Sequence, residues 1–286
     1  MIFFMDNSEF GCEWYKIIFN GKKVFSEIVD YFVLGGYLST FDDMKIIEDS
    51  LDKIKIKFGI PIELPIKWNC KDLQGFYKSK GRLDVYKNII DNSDEIRLSL
   101  IDVLKKTNCK LIIAAKPVFS KDRRKDVYNW AFINVLQRLG NVAKHELKND
   151  VYPKISIIMD WPDGGNRSFF DIYSDAYYAG QQFYCGELKG LDLNINLASS
   201  VTLNSPHLQL ADILVGSTKD FIKWCYEDKN EDRVKIFFPS VLPFFRKSEY
   251  NKIMGFGLII GNKDNYNKFE KKIEDIQKLE ETEVPF

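Results

Sequence analysis

Residues 2–6 read IFFMD, and residues 156–160 read SIIMD. Each is a short apolar run closed by an aspartate. Such a run is too short for a helix and too apolar for a surface loop, so both predict buried strands. In α/β sheets, ligands gather beyond the carboxyl ends of the strands. If the two strands are neighbours, Asp6 and Asp160 stand side by side at that end. A third carboxylate sits in LQLADILVG, residues 208–216, where six of the eight residues from Leu208 to Val215 are apolar. As a helix, this stretch places Gln209, Asp212 and Gly216 on one face. Gly216 leaves room there for another backbone or a ligand. Asp212 is then either a core acceptor of hydrogen bonds or a carboxylate aimed at something, because a buried aspartate needs a partner.

The rest of the chain builds around these three stretches. Tyr15–Phe19, Asn20-Gly21 and Val24–Ile28 suggest a hairpin, since Asn-Gly favours a tight turn. Tyr31–Leu38 is a strong strand interrupted by Gly35-Gly36. Phe41–Phe58 is helical, with Thr40 as N-cap and Gly59 as its stop. Ile60–Trp68 holds Pro61 and Pro65 and suits an edge strand. Arg82–Thr107 predicts one or two helices broken near Asn92-Ser93. Leu111–Phe119 is a buried strand ended by Pro117, and Val127–Lys148 is a long helix. Short strands are expected near Phe183 and over Leu191–Leu197. Ser205 and Pro206 form the start signal of the Asp212 helix, which runs to about Tyr226. Asp228–Arg233 is a charged loop. Phe256–Ile260 is a late strand, and Lys263–Glu283 is a charged surface helix. The expectation is one α/β domain over residues 1–286: a mixed sheet of about five strands with helices on both faces, an insertion near 161–204 and a charged helical tail near 263–286.

Composition sets limits. The 286 residues carry 41 basic and 41 acidic side chains, so the chain as a whole offers no field that would draw nucleic acid or a membrane. A local basic groove remains open. The five cysteines are scattered, without a CxxC pair, and only two histidines are present, which argues against a zinc site and against histidine-centred catalysis. No stretch reaches transmembrane length and the first residues do not read as a signal peptide, so a reducing cytoplasm is the expected location.

Three clustered aspartates repel one another and raise one another's pKa unless a divalent cation neutralises them. Oxygen-only ligands suit Mg²⁺ or Mn²⁺. Such ions activate water and stabilise a leaving oxygen in phosphodiester cleavage. The bland alternative is that strand-end aspartates cap turns. Lys67 could hold a phosphate or orient water, or be a surface lysine. His207, five residues before Asp212, lies well round the helix from it. Lys121, Arg123, Arg124 and Lys125 form a basic cluster. Trp161, Tyr173, Tyr177 and Tyr178 could stack bases, and Asp163 and Asp171 are further carboxylates.

The order of FFMDNS, YFVLGGYLS, IKWN, LQRLG, IIMD and SPHLQLADILVG resembles the family called domain of unknown function 3800. The resemblance spans roughly Ile2 to Lys223, with an insertion after Asp160, and its QLAD segment is the most specific part. It implies a ribonuclease H-like fold whose acidic residues bind divalent metal. Asn7 stands where the family usually has a glutamate. Pro65-Ile66-Lys67 replaces a frequent Glu-x-Lys, with Glu63 two positions earlier. Ribonuclease H-like nucleases also often carry a carboxylate at the end of the fourth strand, and that place, near Lys116, has none here.

Together these readings predict a metal-dependent nuclease acting on DNA or RNA. Asp6, Asp160 and Asp212 hold Mg²⁺ or Mn²⁺, with Glu63 as a further ligand and Lys67 as an assisting cation. The resemblance adds a role in phage defence or mobile-element biology. The alternative is a protein-binding ribonuclease H-like fold that has lost its metal, which the substitutions at Asn7 and Pro65 motivate.

Overall fold

The computed structural model describes residues 1–8, 28–119, 122, 124–145, 154–160, 192–198, 205–261 and 265–282. The hairpin expected over residues 15–28 lies almost wholly outside them, as does the strand near Phe183. Among the described residues the strands are β1 (Ile2–Ser8), β2 (Ile28–Ser39), β3 (Lys110–Phe119), β4 (Lys154–Asp160), β5 (Asp192–Ala198) and β6 (Leu258–Ile260). They form one mixed sheet in the order β5-β4-β1-β2-β3-β6. The meander β1–β2–β3 is antiparallel, while β4 runs parallel to β1, β5 to β4 and β6 to β3. The mixed sheet expected from the sequence is therefore present, with the three-residue β6 as an added edge.

The period-2 alternation of the strands sorts their side chains onto two cores. Phe3, Met5, Phe32, Leu34, Ile112, Ile155, Ile157 and Met159 face one side and are covered by α5 (Arg124–His145). Phe4, Tyr31, Val33, Tyr37, Leu111, Ile113 and, less deeply, Ile158 face the other. That side is covered by α1 (Phe41–Lys57), α4 (Ser93–Asp102), α6 (Pro206–Glu227), α7 (Glu231–Val241) and α8 (Tyr266–Thr282). Two short helices, α2 (Gln74–Ser79) and α3 (Leu83–Asp91), extend the same layer. Helices on both faces of the sheet match the expectation. The Gly35-Gly36 pair permits a close strand approach: a Cβ on Gly36 would lie 1.8 Å from the Phe4 carbonyl oxygen.

Local signals explain the helix ends. Thr40 and Asp43 form a reciprocal capping box on α1. Ser205 accepts the Leu208 N–H and Pro206 occupies the first turn of α6. Gly59 follows α1 with φ of +62°, a conformation glycine adopts without penalty. The α8 tail is charged outside but amphipathic, with Phe269, Ile273 and Ile276 buried. No helix among the described residues is long and apolar enough to cross a membrane.

Three boundaries differ from the sequence reading. β3 reaches Phe119 as expected but starts at Lys110, and Pro117 does not stop it: it pairs with Tyr31 inside the strand. The loop after α6 is shorter than expected, since α7 begins at Glu231. Residues 60–68 form no strand. Their polar groups are met by side chains instead: Gln209 accepts the Ile66 N–H, Asp212 accepts the Trp68 N–H, and the Tyr77 hydroxyl donates to the Pro65 carbonyl. Two prolines remove ladder donors, and side chains of α6 and Tyr77 take the place of a strand partner at Pro65, Ile66 and Trp68.

Candidate metal centre

The parallel register of β1 and β4 pairs Phe4 with Ile158 and Met5 with Met159. One step further, Asp6 and Asp160 leave the pair side by side, on the same sheet face as Phe4 and Ile158. That face is the one α6 covers, and α6 presents Asp212 to it. All three aspartates line one cleft of about 930 Å³, together with Asn7, Lys67 and Asp72. The three aspartates expected at one site thus border the same cleft at one end of the sheet.

Asp6 is 4 % exposed. Burial pushes its pKa well above the carboxylate range, and Asp212 and Asp160 push it further. The Asn7 N–H, donating to Asp6 Oδ1 at 2.7 Å, and the Lys67 ammonium oppose this only in part. Asp212 is likewise raised by burial, against the pull of the Trp68 N–H, Lys67 and a hydrogen bond with Asp6. Two carboxylates in hydrogen-bond contact must share a proton or a cation. Burial works against the Lys67 ammonium, yet Asp212, Asp6 and Asp160 outweigh it and hold its pKa above the usual lysine value. Lys67 is thus the local counter-charge of the aspartates rather than a surface lysine.

Asp212 fills both roles left open by the sequence. It faces Asp6, and it also accepts the Trp68 N–H, which anchors the Lys67 segment to α6. Gly216, one turn on, makes room for the Trp68 ring: a Cβ there would lie 2.1 Å from Trp68 Cγ. Arg97 holds the same segment from behind, donating from Nε and Nη2 to the Trp68 carbonyl at 3.1 and 2.6 Å.

Glu63 is a correction. It is exposed and does not line the cleft; its charge acts on the buried Lys55 instead. Glu63 sits in a turn tied to α1 by the Lys55 ammonium, which donates to the Ile62 carbonyl. The chain enters the cleft only at Lys67. Asp72, which the sequence reading passed over, does line the cleft and acts electrostatically on Asp212 and Lys67. His207 belongs elsewhere: it stacks on Phe4 and bridges the Tyr37 hydroxyl and Glu48, both at 3.0 Å. Lys116 pairs with Asp122 at 3.5 Å. Lys121, Arg123, Trp161, Asp163, Asp171, Tyr173, Tyr177 and Tyr178 lie outside the described residues, as do the side chains of Arg124 and Lys125.

The donor set can be tested against a divalent ion. Among the described residues, no three His, Cys, Asp or Glu side chains are grouped closely enough to enclose one as they stand. The chemistry of the floor nevertheless fits. Asp6 and Asp212 are in contact, Asp160 adds negative potential, and the buried Asn7 Oδ1 has no hydrogen-bond partner. An unpartnered amide oxygen beside two crowded carboxylates is the arrangement a hard, oxygen-seeking cation would satisfy.

The walls of the cleft carry the opposite charge. Lys67, Lys71, Arg97, Lys219, Lys223 and Arg233 line it. Some are already committed: Arg233 pairs with Asp220 at 3.3 Å and Lys219 with Asp30 at 3.3 Å. Arg97 and Arg233 also lie over the Trp68 ring, at 5.0 and 4.8 Å from its centroid.

No family model, no curated protein and no solved structure matches this chain. The functional reading therefore stands on the geometry of the cleft.

Proposed function

We propose that the protein is a ribonuclease H-like, metal-dependent nuclease that hydrolyses phosphodiester bonds in DNA or RNA. One observation carries the reading: Asp6 and Asp212 meet, with Asp160 beside them, at the carboxyl end of two parallel strands on the floor of a cleft whose walls hold six cationic side chains. The meander β1–β2–β3, followed by crossovers to parallel β4 and β5, agrees with the ribonuclease H-like reading and with the resemblance to domain of unknown function 3800.

Asp6, Asp212 and Asp160 would hold Mg²⁺ or Mn²⁺, with Asn7 Oδ1 as a neutral oxygen ligand. When bound, such an ion polarises the scissile phosphate and lowers the pKa of water. The protein's own groups do the rest. Asp212 fixes the Trp68 backbone, and so sets where the Lys67 ammonium stands. Lys67, released from neutralising the aspartates, holds a phosphate oxygen. Lys219, Lys223 and Arg233 attract the flanking backbone. The free thiols Cys70, Cys109 and Cys225, all buried, suit a reducing cytoplasm, and a role in phage defence or mobile-element biology follows the resemblance.

A second reading, a ribonuclease H-like interaction protein without catalysis, is favoured by the position of Glu63 away from the cleft and by Asn7 beside Asp6. Incubation with plasmid, single-stranded DNA, RNA and RNA–DNA hybrid in Mg²⁺ or Mn²⁺ separates the two. The nuclease reading expects cleavage of at least one substrate that is lost in Asp212→Asn. No cleavage, or cleavage unchanged in the variant, supports the second reading.

A further inference from the structure

Beside the cleft lies a smaller cavity of about 350 Å³, lined by Lys71, Gln74, Tyr86, Lys87 and Ile90. It shares Lys71 and Ile90 with the cleft, so the two adjoin. We infer that this cavity is a nucleobase site, and that the nucleic acid entering the cleft is single-stranded. The inference rests on the nuclease reading for the identity of the cleft, and adds to it the substrate class.

The lining supplies each part that base recognition requires. Tyr86 and Ile90 give an aromatic ring and an aliphatic side chain against which a planar ring can stack. Tyr86 is held from behind: its ring lies 6.1 Å from that of Tyr77, which is buried and anchored by its hydroxyl to the Pro65 carbonyl. Gln74 offers an amide donor and acceptor suited to a base edge. Lys71 and Lys87, both exposed, flank the opening and suit the phosphates on either side of the base. The volume lies at the small end of the range for ligand pockets, enough for one ring system and not for a paired duplex. A base can enter only if it is unpaired. A duplex would have to flip a nucleotide out, at the cost of unstacking, whereas a single strand offers its bases without that cost.

The placement relative to the aspartates is also informative. Lys71 and Asp72 follow directly on the segment of Lys67 and Trp68 that Asp212 anchors. The same short stretch of chain therefore lines the aspartate floor and borders the base cavity. A strand whose phosphate lies over Asp6 and Asp212 would reach the cavity with a nucleotide further along the same strand.

Fluorescence anisotropy with labelled single-stranded and duplex oligonucleotides of equal length, DNA and RNA, in chelator and in Mn²⁺, tests the inference. Wild type is expected to bind the single strand more tightly than the duplex. Tyr86→Ala should weaken single-strand binding about ten-fold, the scale of one lost base stack, with duplex binding unchanged and Tyr86→Phe close to wild type. Because the Tyr86 ring also packs on Tyr77, Lys87→Glu provides a second arm at an exposed position. It should weaken single-strand binding while leaving the melting temperature unchanged. Preference for duplex, absence of binding by wild type in both conditions, or single-strand affinity unmoved by Lys87→Glu and by a folded Tyr86→Ala would each overturn the inference. Its failure is distinguishable from that of the nuclease reading. Single-strand binding that depends on Tyr86 without metal-dependent cleavage removes the nuclease and keeps the base site. Cleavage lost in Asp212→Asn but indifferent to Tyr86 and Lys87 removes the base site and keeps the nuclease.

Discussion

Replacing Asp212 in two ways separates its mechanical role from its electrostatic one. Asp212→Ala removes the acceptor of the Trp68 N–H. A buried donor left without a partner costs about 1–3 kcal/mol. At about 2–4 °C per kcal/mol for chains of roughly 150–250 residues, Tm in chelator should fall by roughly 2–12 °C. Asp212→Asn keeps an oxygen for Trp68 and removes the charge that faces Asp6, so its Tm in chelator should equal or exceed that of wild type. Added Mn²⁺ reverses the ranking. An ion at a hundred-fold excess over its Kd stabilises the native state by about 2.7 kcal/mol, which is roughly 5–11 °C on the same scale. Wild type should show this gain and Asp212→Asn should lose most of it. Differential scanning calorimetry of the three proteins, each with chelator and with Mn²⁺, reads all six values. If both variants melt equally far below wild type in chelator and respond fully to Mn²⁺, Asp212 is a structural acceptor only and the reasoning fails.

Further outcomes follow from the same geometry. Gly216→Ala places a Cβ against the Trp68 ring; overpacking of this kind costs about 1–3 kcal/mol, so chemical denaturation should show lower stability, and the displaced Lys67 segment should lower cleavage as well. The raised pKa of Asp6 means the native state keeps a proton that the unfolded chain loses near pH 3.8. Its stabilisation is complete below that value and is lost as pH rises through the native pKa. Melting in chelator across a pH series should show this decline in wild type and a weaker one in Asp6→Asn. Burial lowers the pKa of His207, against the pull of Glu48, so the sign there is opposite: stability should fall as pH drops below about 6.5, and His207→Gln should flatten that acid limb. Lys67→Met should reduce cleavage while Mn²⁺ binding by calorimetry is kept or tightened, since the ammonium competes with the ion for the same aspartates.

What was legible in the sequence is what local chemistry determines. IFFMD and SIIMD are apolar runs with no helical alternative, and they form β1 and β4. Thr40 with Asp43, and Ser205 with Pro206, announce helix starts through hydrogen bonds only a few residues long. The break at Asn92-Ser93 is where α3 gives way to α4. That Asp6, Asp160 and Asp212 border one cleft follows from strand ends and one helix face. The errors lie where distant side chains decide. Nothing near residues 60–68 reveals that Gln209 and Asp212, more than 140 positions away, accept their amide protons. Without that knowledge an edge strand was the natural reading, and Glu63 followed it towards the site. Asp72 and Arg97 were missed for the same reason: each matters only because the 66–70 segment is pinned between α4 and α6. The basic wall of Lys219, Lys223 and Arg233 was partly readable. Asp212, Gly216, Lys219 and Lys223 follow a helical spacing that continues the face already identified.

The central claim is that the aspartate floor holds a divalent ion. Anomalous diffraction from crystals grown with Mn²⁺ tests it directly. The account predicts an anomalous peak about 2.0–2.6 Å from carboxylate oxygens of both Asp6 and Asp212, with Asp160 or Asn7 Oδ1 completing the set, and no such peak in Asp6→Asn crystals. An empty floor at millimolar Mn²⁺, or a peak bound elsewhere on the protein, would contradict it.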